Sequence, residues 1–320
     1  MAKEINQLHT PVALDYALEI LGEVLNGSNP VLVDCTLGLG GHTEAFLEKF
    51  ENLTVVGIDR DEKALELAKA RLERFGNRVH FAHSIYSEIV EVLDGLDLEK
   101  VDAVLLDLGV SSMQLDEADR GFAYSFDAPL DMRMNQDEGQ TAADVLNNYS
   151  EGELSRIFKE YGEERYAKPI AHAVVAKRKS EPFVNSAELA ALISKIVPYI
   201  PGKTSGHPAK RVFQALRIEV NGELEILADT IPAAVKVLRV GGRVLVMSYH
   251  SLEDSITKRA LSALATSSAP LDMPVELPEH APVLRMLTKG TAVASDSEKT
   301  QNPRAASVRM RAAEKIREAA

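Results

Sequence analysis

The sequence has almost no thiol chemistry to draw on: of 320 residues, only Cys35 is a cysteine. One thiol makes no intrachain disulfide, and no Cys/His grouping has the spacing of a zinc site, so neither oxidation nor a metal is expected to hold the fold. Long hydrophobic runs are missing too. Stretches such as Val101 to Leu108 fall far short of the about 20 apolar residues that a membrane-spanning helix needs. No charged-then-apolar leader opens the chain, which sets the expectation of a cytoplasmic protein without a membrane partner. Internal repeats and low-complexity tracts are absent as well. What is present is ordinary for a globular chain, with 45% hydrophobic and 26% charged residues. The length suits a core domain carrying a second, smaller one.

A formal net charge of -12 speaks at first against a nucleic-acid partner, since phosphates are met by Lys and Arg. The distribution reverses that reading. From Arg165 to Arg217 there are ten Lys and Arg against two Glu, so this segment carries +8 and the remainder -20. Charge runs are commonly solvated helix faces, but a basic segment set in an acidic body also fits an anionic partner.

Periodicity divides the chain. Thr10 and Pro11 read as the N-cap and first residue of an opening helix with an apolar stripe of Val12, Leu14, Ala17, Leu18, Leu21 and Leu25. Val31 to Asp34 reads as a strand, the glycines from Gly38 to Gly41 as a tight turn, and Thr43 to Phe50 as a helix. Strands are predicted at Thr54 to Asp59, Val79 to Ala82 and Val101 to Leu108, with helices over Ala64 to Phe75 and Ile85 to Leu93. This alternation predicts an α/β fold, a doubly wound, Rossmann-like sheet.

The pattern breaks at Ser111. From there to about Gln140 no period is usable, which points to a functional lid or binding loop. Ser150 with Glu153 and Asn185 with Glu188 have capping-box spacing and open a helical insertion. From Pro208 one long amphipathic helix is expected to run to Leu238, where Gly241 and Gly242 end it, followed by a strand over Arg243 to Ser248. A helix over Leu252 to Ala265 follows, and Val283 to Thr288 with Ala305 to Met310 could form a terminal antiparallel hairpin.

Two segments carry candidate chemistry. In a doubly wound fold the ligand lies across the carboxyl ends of the strands, where glycines let backbone approach it. Asp59, ending the second strand, can accept hydrogen bonds from ribose hydroxyls. Gly38, Gly40 and Thr43 meet only part of the dinucleotide fingerprint, because the third position is not small, and this disfavours a nicotinamide cofactor. A mere strand-to-helix turn is the plain alternative for the glycines alone. Asp107 ends the fourth strand before Gly109, Ser111 and Ser112, where a carboxylate could hold the hydrogens of a substrate amine. Its plain alternative is capping of turn amides. His250 follows the fifth strand and could contact substrate or move a proton, while Ser251 with Asp254 has the spacing of a helix cap. Phe122, Tyr124 and Phe126 could stack on an extruded base or anchor the loop. Lys177, Arg178 and Lys179 form one candidate phosphate cluster. Lys203, Lys210 and Arg211 form another, with Lys210 and Arg211 preferred as lying where insertion meets core.

Several strings together carry a resemblance. They are His9 to Val12, Asp34 to Gly38 with Gly40, Gly41 and His42, Leu106 to Asp116, Arg120 to Phe122, Pro129 to Met134, Tyr161 to Arg165, His207 to Ile218, Gly241 to Arg243, His250 to Asp254 and Asn302 to Ala305. In this order they resemble the bacterial MraW family, the 16S ribosomal RNA cytosine-N4 methyltransferases, nearly from end to end. The resemblance implies a class I methyltransferase sheet with an inserted α-helical domain, and S-adenosylmethionine as methyl donor. It implies donor contacts at Gly40, Gly41, His42, Asp59, Tyr86, Asp107 and Gln114. It also implies an acceptor cytidine in the decoding region of the small ribosomal subunit. Where Tyr86 and Tyr249 stand the family often has Phe. The stretch from Asp107 to Val110 is not the Pro-Pro-aromatic motif of amino-directed DNA methyltransferases, so the amine-holding geometry of those enzymes does not carry over.

The expectation is therefore a donor-binding core over residues 1–112 and 209–320, with a loop and helical substrate domain over 113–208. Asp107 and His250 are its candidate catalytic residues, and Lys210 and Arg211 its RNA contacts. No metal and no DNA are expected. The rival readings are a catalytically silent assembly factor of the same fold, and an amine methyltransferase acting on DNA or protein.

Overall fold

A computed structural model describes residues 11–124, 127–198, 207–270 and 277–318. His9, Thr10, Phe126 and Lys203 lie outside the described residues. The chain forms two compact units, Met1–Gly109 with Leu224–Ala320, and Val110–Glu223.

In the first unit, helices α1 (Leu14–Gly22), α2 (Gly41–Lys49), α3 (Glu62–Leu72) and α4 (Ile89–Asp94) alternate with strands β1 (Val31–Asp34), β2 (Thr54–Asp59), β3 (Val79–His83) and β4 (Val101–Asp107). The second unit holds α5 (Ser112–Asp116), α6 (Ala142–Asn148), α7 (Glu151–Glu160), α8 (Ala167–Arg178), α9 (Ser186–Ile196) and α10 (Lys210–Asn221). The chain then returns through α11 (Glu223–Val237), β5 (Leu238–Ser248), α12 (Ser251–Leu264), β6 (Leu284–Met286), α13 (Asp296–Gln301) and β7 (Arg309–Lys315).

The seven strands form one sheet in the order β3-β2-β1-β4-β5-β7-β6. β1 to β5 run parallel, and β7 lies antiparallel to both β5 and β6. Alternate residues of each strand serve different cores. Leu32, Val55, Leu105 and Leu245 pack with α1 to α3, whereas Val33, Val56, Leu106 and Val246 pack with α11 and α12. Both faces are covered, which is why these strands read as near-continuous apolar runs rather than alternating ones. The second unit has its own core, built on Phe158, Ile170, Phe183 and Ile193.

Several boundaries differ from expectation for local reasons. The opening helix starts at Leu14, because Ala13 is left-handed at φ +52° and its amide is taken by the Glu298 carboxylate. The long amphipathic helix is two helices, separated by Gly222 at φ +60°. Gly241 and Gly242 do not end a helix; they form an irregularity inside β5, where pairing to β4 shifts register between Val101 and Ala103. A Cβ on Gly242 would lie 2.9 Å from the carbonyl oxygens of Arg239 and Asp102. Asn185 occupies the N-cap position of α9, but its side chain makes no cap bond, and its backbone bridges to Pro129. The last strand covers Arg309–Lys315, since Pro303–Ser307 close into a 3-10 turn. The units divide at Glu223, so α10, expected in the core, belongs to the helical unit.

Candidate active site

Parallel strands bring their carboxyl ends to one edge of a sheet, and β1, β2 and β4 each end there in an aspartate. Asp34 is almost fully buried and accepts the Thr43 hydroxyl at 2.7 Å and the Thr36 amide at 3.3 Å. It thereby fastens both ends of the glycine turn. Burial raises its pKa, against the opposing pull of His42 and of its hydrogen bonds.

The turn itself reaches the other two acids. Gly38 N–H donates to Asp59 Oδ2 at 2.7 Å, and Asp61 N–H donates to Asp59 Oδ1 at 2.8 Å. Each Asp59 oxygen keeps a second lone pair. Burial nevertheless pushes this carboxyl up to about 6, the two amides only partly offsetting it. Gly40 stands at φ +75°, and a Cβ there would come within 2.9 Å of Leu72 Cδ1. Only glycine suits both conditions. The first intrahelical bond of α2 runs from Glu44 N–H to Gly40 O, so the amides of Gly41, His42 and Thr43 open the helix ahead of it.

His42 links the turn to Asp107. Its Nε2 lies 2.9 Å from the carbonyl oxygen of Val12. A carbonyl only accepts, so Nε2 carries the hydrogen and the neutral ring leaves Nδ1 as its basic atom. Nδ1 stands 3.7 Å from Asp107 Oδ2. The other oxygen of Asp107 accepts the Tyr249 hydroxyl at 2.6 Å, and the Asp107 amide donates to Thr36 Oγ1 at 2.7 Å. Burial, and then the Asp107 charge, hold the Tyr249 phenol well above its usual pKa, so it stays a donor. The side chain of Asp107 remains 21% exposed, which leaves it open to a ligand. Tyr86 opens the 3-10 turn after β3 and is half-buried against apolar side chains of the sheet face. Among the described residues, no His/Cys/Asp/Glu group could hold a metal ion.

The remaining candidates are placed differently. His250 itself caps α12: Nδ1 accepts Glu253 N–H at 3.4 Å, and Nε2 lies 3.1 Å from Glu253 Oε1. The expectation that Ser251 caps this helix with Asp254 is corrected accordingly. Asp254 instead holds Arg311 through paired bonds of 2.7 and 3.2 Å. Gln114 belongs to the second unit, where it and Ser111 form a capping box on α5. Phe122 is buried in that unit's core, and Tyr124 stacks on His207 with centroids 4.8 Å apart. These two rings anchor the loop. Lys177 is paired with Glu188 at 2.9 Å, and Arg178 donates to Leu146 O at 2.6 Å. Lys210 and Arg211 are exposed at the start of α10, though Arg211 also donates to Glu163 O at 3.0 Å. They lie within the second unit, one helix ahead of its boundary.

Comparison with known proteins bears on this constellation. Residues 6–316 match the model of the MraW methylase family. The chain belongs to that family. Proteins called ribosomal RNA small subunit methyltransferase H are its relatives. That of Saccharopolyspora erythraea is 57% identical over 311 residues, covering 97% of this chain and 94% of its own length. That of Renibacterium salmoninarum is 55% identical over 314 residues, covering 97% and 95%. That of Pseudarthrobacter chlorophenolicus is 53% identical, covering 98% and 97%.

Within this MraW chain, Tyr249, Thr36 and the Val12 carbonyl join the site without having been singled out from the sequence. Tyr249 had one usable signal, its position just past β5, the strand neighbouring β4. Thr36 and Val12 stood only as members of the strings that carry the resemblance, because a backbone carbonyl and a threonine in a turn look alike whether or not they bind a neighbour. Other family strings serve the scaffold. Arg120 donates to the carbonyls of Arg133 and Met134, and Asn221 accepts Met134 N–H while donating to Met132 O.

Proposed function

We propose that this protein transfers a methyl group from S-adenosylmethionine to the exocyclic N4 amine of a decoding-region cytidine in 16S ribosomal RNA, met within the small ribosomal subunit in the cytoplasm. The observation that carries the reading is the glycine turn that bonds to Asp59 and brings His42 to Asp107. Family membership supports ribosomal RNA as the substrate class.

The residues present fit this donor. Helix-opening amides at Gly41 and His42 suit the donor's carboxylate, since a helix start favours negative charge. Asp59 has lone pairs for two ribose hydroxyls, and the half-buried Tyr86 offers a flat apolar wall to an adenine. Gln114 is assigned to the donor only through the family resemblance. When bound, the donor supplies an electrophilic methyl group on a positively charged sulfur.

The chain's own part is to orient the amine. Asp107 accepts a hydrogen bond from the amine and thereby turns the nitrogen lone pair toward the methyl carbon. Tyr249 pins one Asp107 oxygen, so the carboxylate cannot rotate away. Lys210 and Arg211 contact RNA phosphates, which position the substrate without reading its sequence. His250 caps α12 and so keeps the turn after β5 in shape.

Nucleoside digests of small-subunit RNA from cells with and without the gene test this reading. Loss of N4-methylcytidine on deletion, restored by the wild-type gene, is the expected outcome. An unchanged N4-methylcytidine level refutes it, and full restoration by an Asp107→Ala gene would remove Asp107 from the transfer.

A further inference from the structure

Asp107 has two oxygens in different surroundings. Oδ1 receives the Tyr249 hydroxyl at 2.6 Å, which weakens its basicity, while Oδ2 faces His42 Nδ1 at 3.7 Å. The His42 ring is 7% exposed, and Val12 O fixes its hydrogen on Nε2. Nδ1 therefore presents its lone pair toward Oδ2. The titratable groups facing the ring are Asp107 from β4 and Asp34 from β1, both acidic, with Tyr249 behind Asp107.

We propose that His42 is the terminal proton acceptor of the methyl transfer, acting through Asp107 rather than on the substrate. The inference deepens the function proposed above and rests on it. The amine nitrogen forms its bond to the methyl carbon with its lone pair as the carbon–sulfur bond breaks, its electron pair remaining on sulfur. The nitrogen, now positive, releases one hydrogen as a proton to Asp107 Oδ2, the N–H electron pair staying on nitrogen. Oδ2 passes that proton to His42 Nδ1, so the carboxylate is regenerated and the charge rests on the imidazolium. The 3.7 Å gap is longer than a hydrogen bond, and such contacts commonly tighten once substrates are bound. Val12 has a definite part in this relay: its carbonyl determines which nitrogen is basic.

The test is His42→Gln, whose side-chain amide can still donate to Val12 but cannot take up a proton. Single-turnover methylation of small-subunit particles at saturating donor is expected to slow about a hundredfold at neutral pH. Calorimetry of the donor separates any loss of donor binding from the slowed transfer, which is read at saturating donor. The deficit should shrink as pH is raised, since hydroxide replaces the missing acceptor, a trend that a merely structural defect would not show. A wild-type single-turnover rate in His42→Gln overturns the relay. So does a slow rate that stays slow at every pH. Nitrogen NMR of the wild-type protein gives an answer even if the variant fails to fold: the neutral ring must carry its hydrogen on Nε2, and a hydrogen on Nδ1 rules the role out. If wild-type protein forms no methylcytidine, the proposed function fails instead.

Discussion

A carboxylate that receives amide hydrogens on both oxygens should ionise readily, yet Asp59 is held near 6 by its burial. The sign of the consequence is definite. A raised carboxyl pKa favours the donor-free fold while Asp59 is protonated. That contribution is fully present below about 3.8 and is lost as pH rises through about 6. The difference is worth roughly 2–3 kcal/mol, which the free protein forgoes at neutral pH. A ribose needs the ionised form as acceptor, so donor binding expels the proton. Donor affinity should therefore rise about tenfold per pH unit below the midpoint and level off above it. Calorimetry between pH 5 and 8 checks this, and a flat profile would remove Asp59 from the donor. Asp59 and Asp107 were legible in the sequence because strand ends in a parallel sheet are predictable. The His250 cap was not. Imidazole is an unusual cap, and Ser251 one position later has the ordinary chemistry, so only coordinates could show which residue turns to Glu253.

At the scale of elements, the apolar strands of the first half were readable nearly to the residue, whereas its helices are displaced by a few residues. The boundaries that moved did so mostly at single residues whose backbone geometry the periodic pattern does not carry. Gly222 is a single left-handed residue inside an otherwise continuous amphipathic stripe, and the glycines of β5 serve a sheet irregularity rather than a helix end. The aperiodic stretch after Ser111 reads as a functional lid or binding loop. Much of it is fixed: Phe122, Leu130, Met132 and Met134 are buried, and Arg120 and Asn221 satisfy its backbone. Gly121 is its tightest point. It stands at φ +72°, and a Cβ there would fall 2.1 Å from Pro129 O and 2.9 Å from Asp131 N, both backbone atoms that cannot swing aside. Gly121→Ala should cost more than about 2 kcal/mol in chemical denaturation. A loss below about 0.5 kcal/mol would mean that this loop is not held as described.

For the whole molecule, a net charge of -12 conceals an uneven distribution of charge along the chain. The acids that suit a cationic donor lie in the unit of Met1–Gly109 and Leu224–Ala320, and the exposed Lys210 and Arg211 lie in Val110–Glu223. The existence of two units was legible from length and from the break in alternation. The boundary was not, because α10 has the same amphipathic pattern whichever core it faces. In the proposed function the first unit holds the donor and the second contacts the RNA backbone. The most direct measurement is calorimetry of S-adenosylmethionine beside filter binding of small-subunit RNA, on two variants. Asp59→Ala should lose at least about tenfold in donor affinity with RNA affinity unchanged, and Lys210→Glu with Arg211→Glu should do the reverse. Equal loss of both affinities in either variant would contradict the claim.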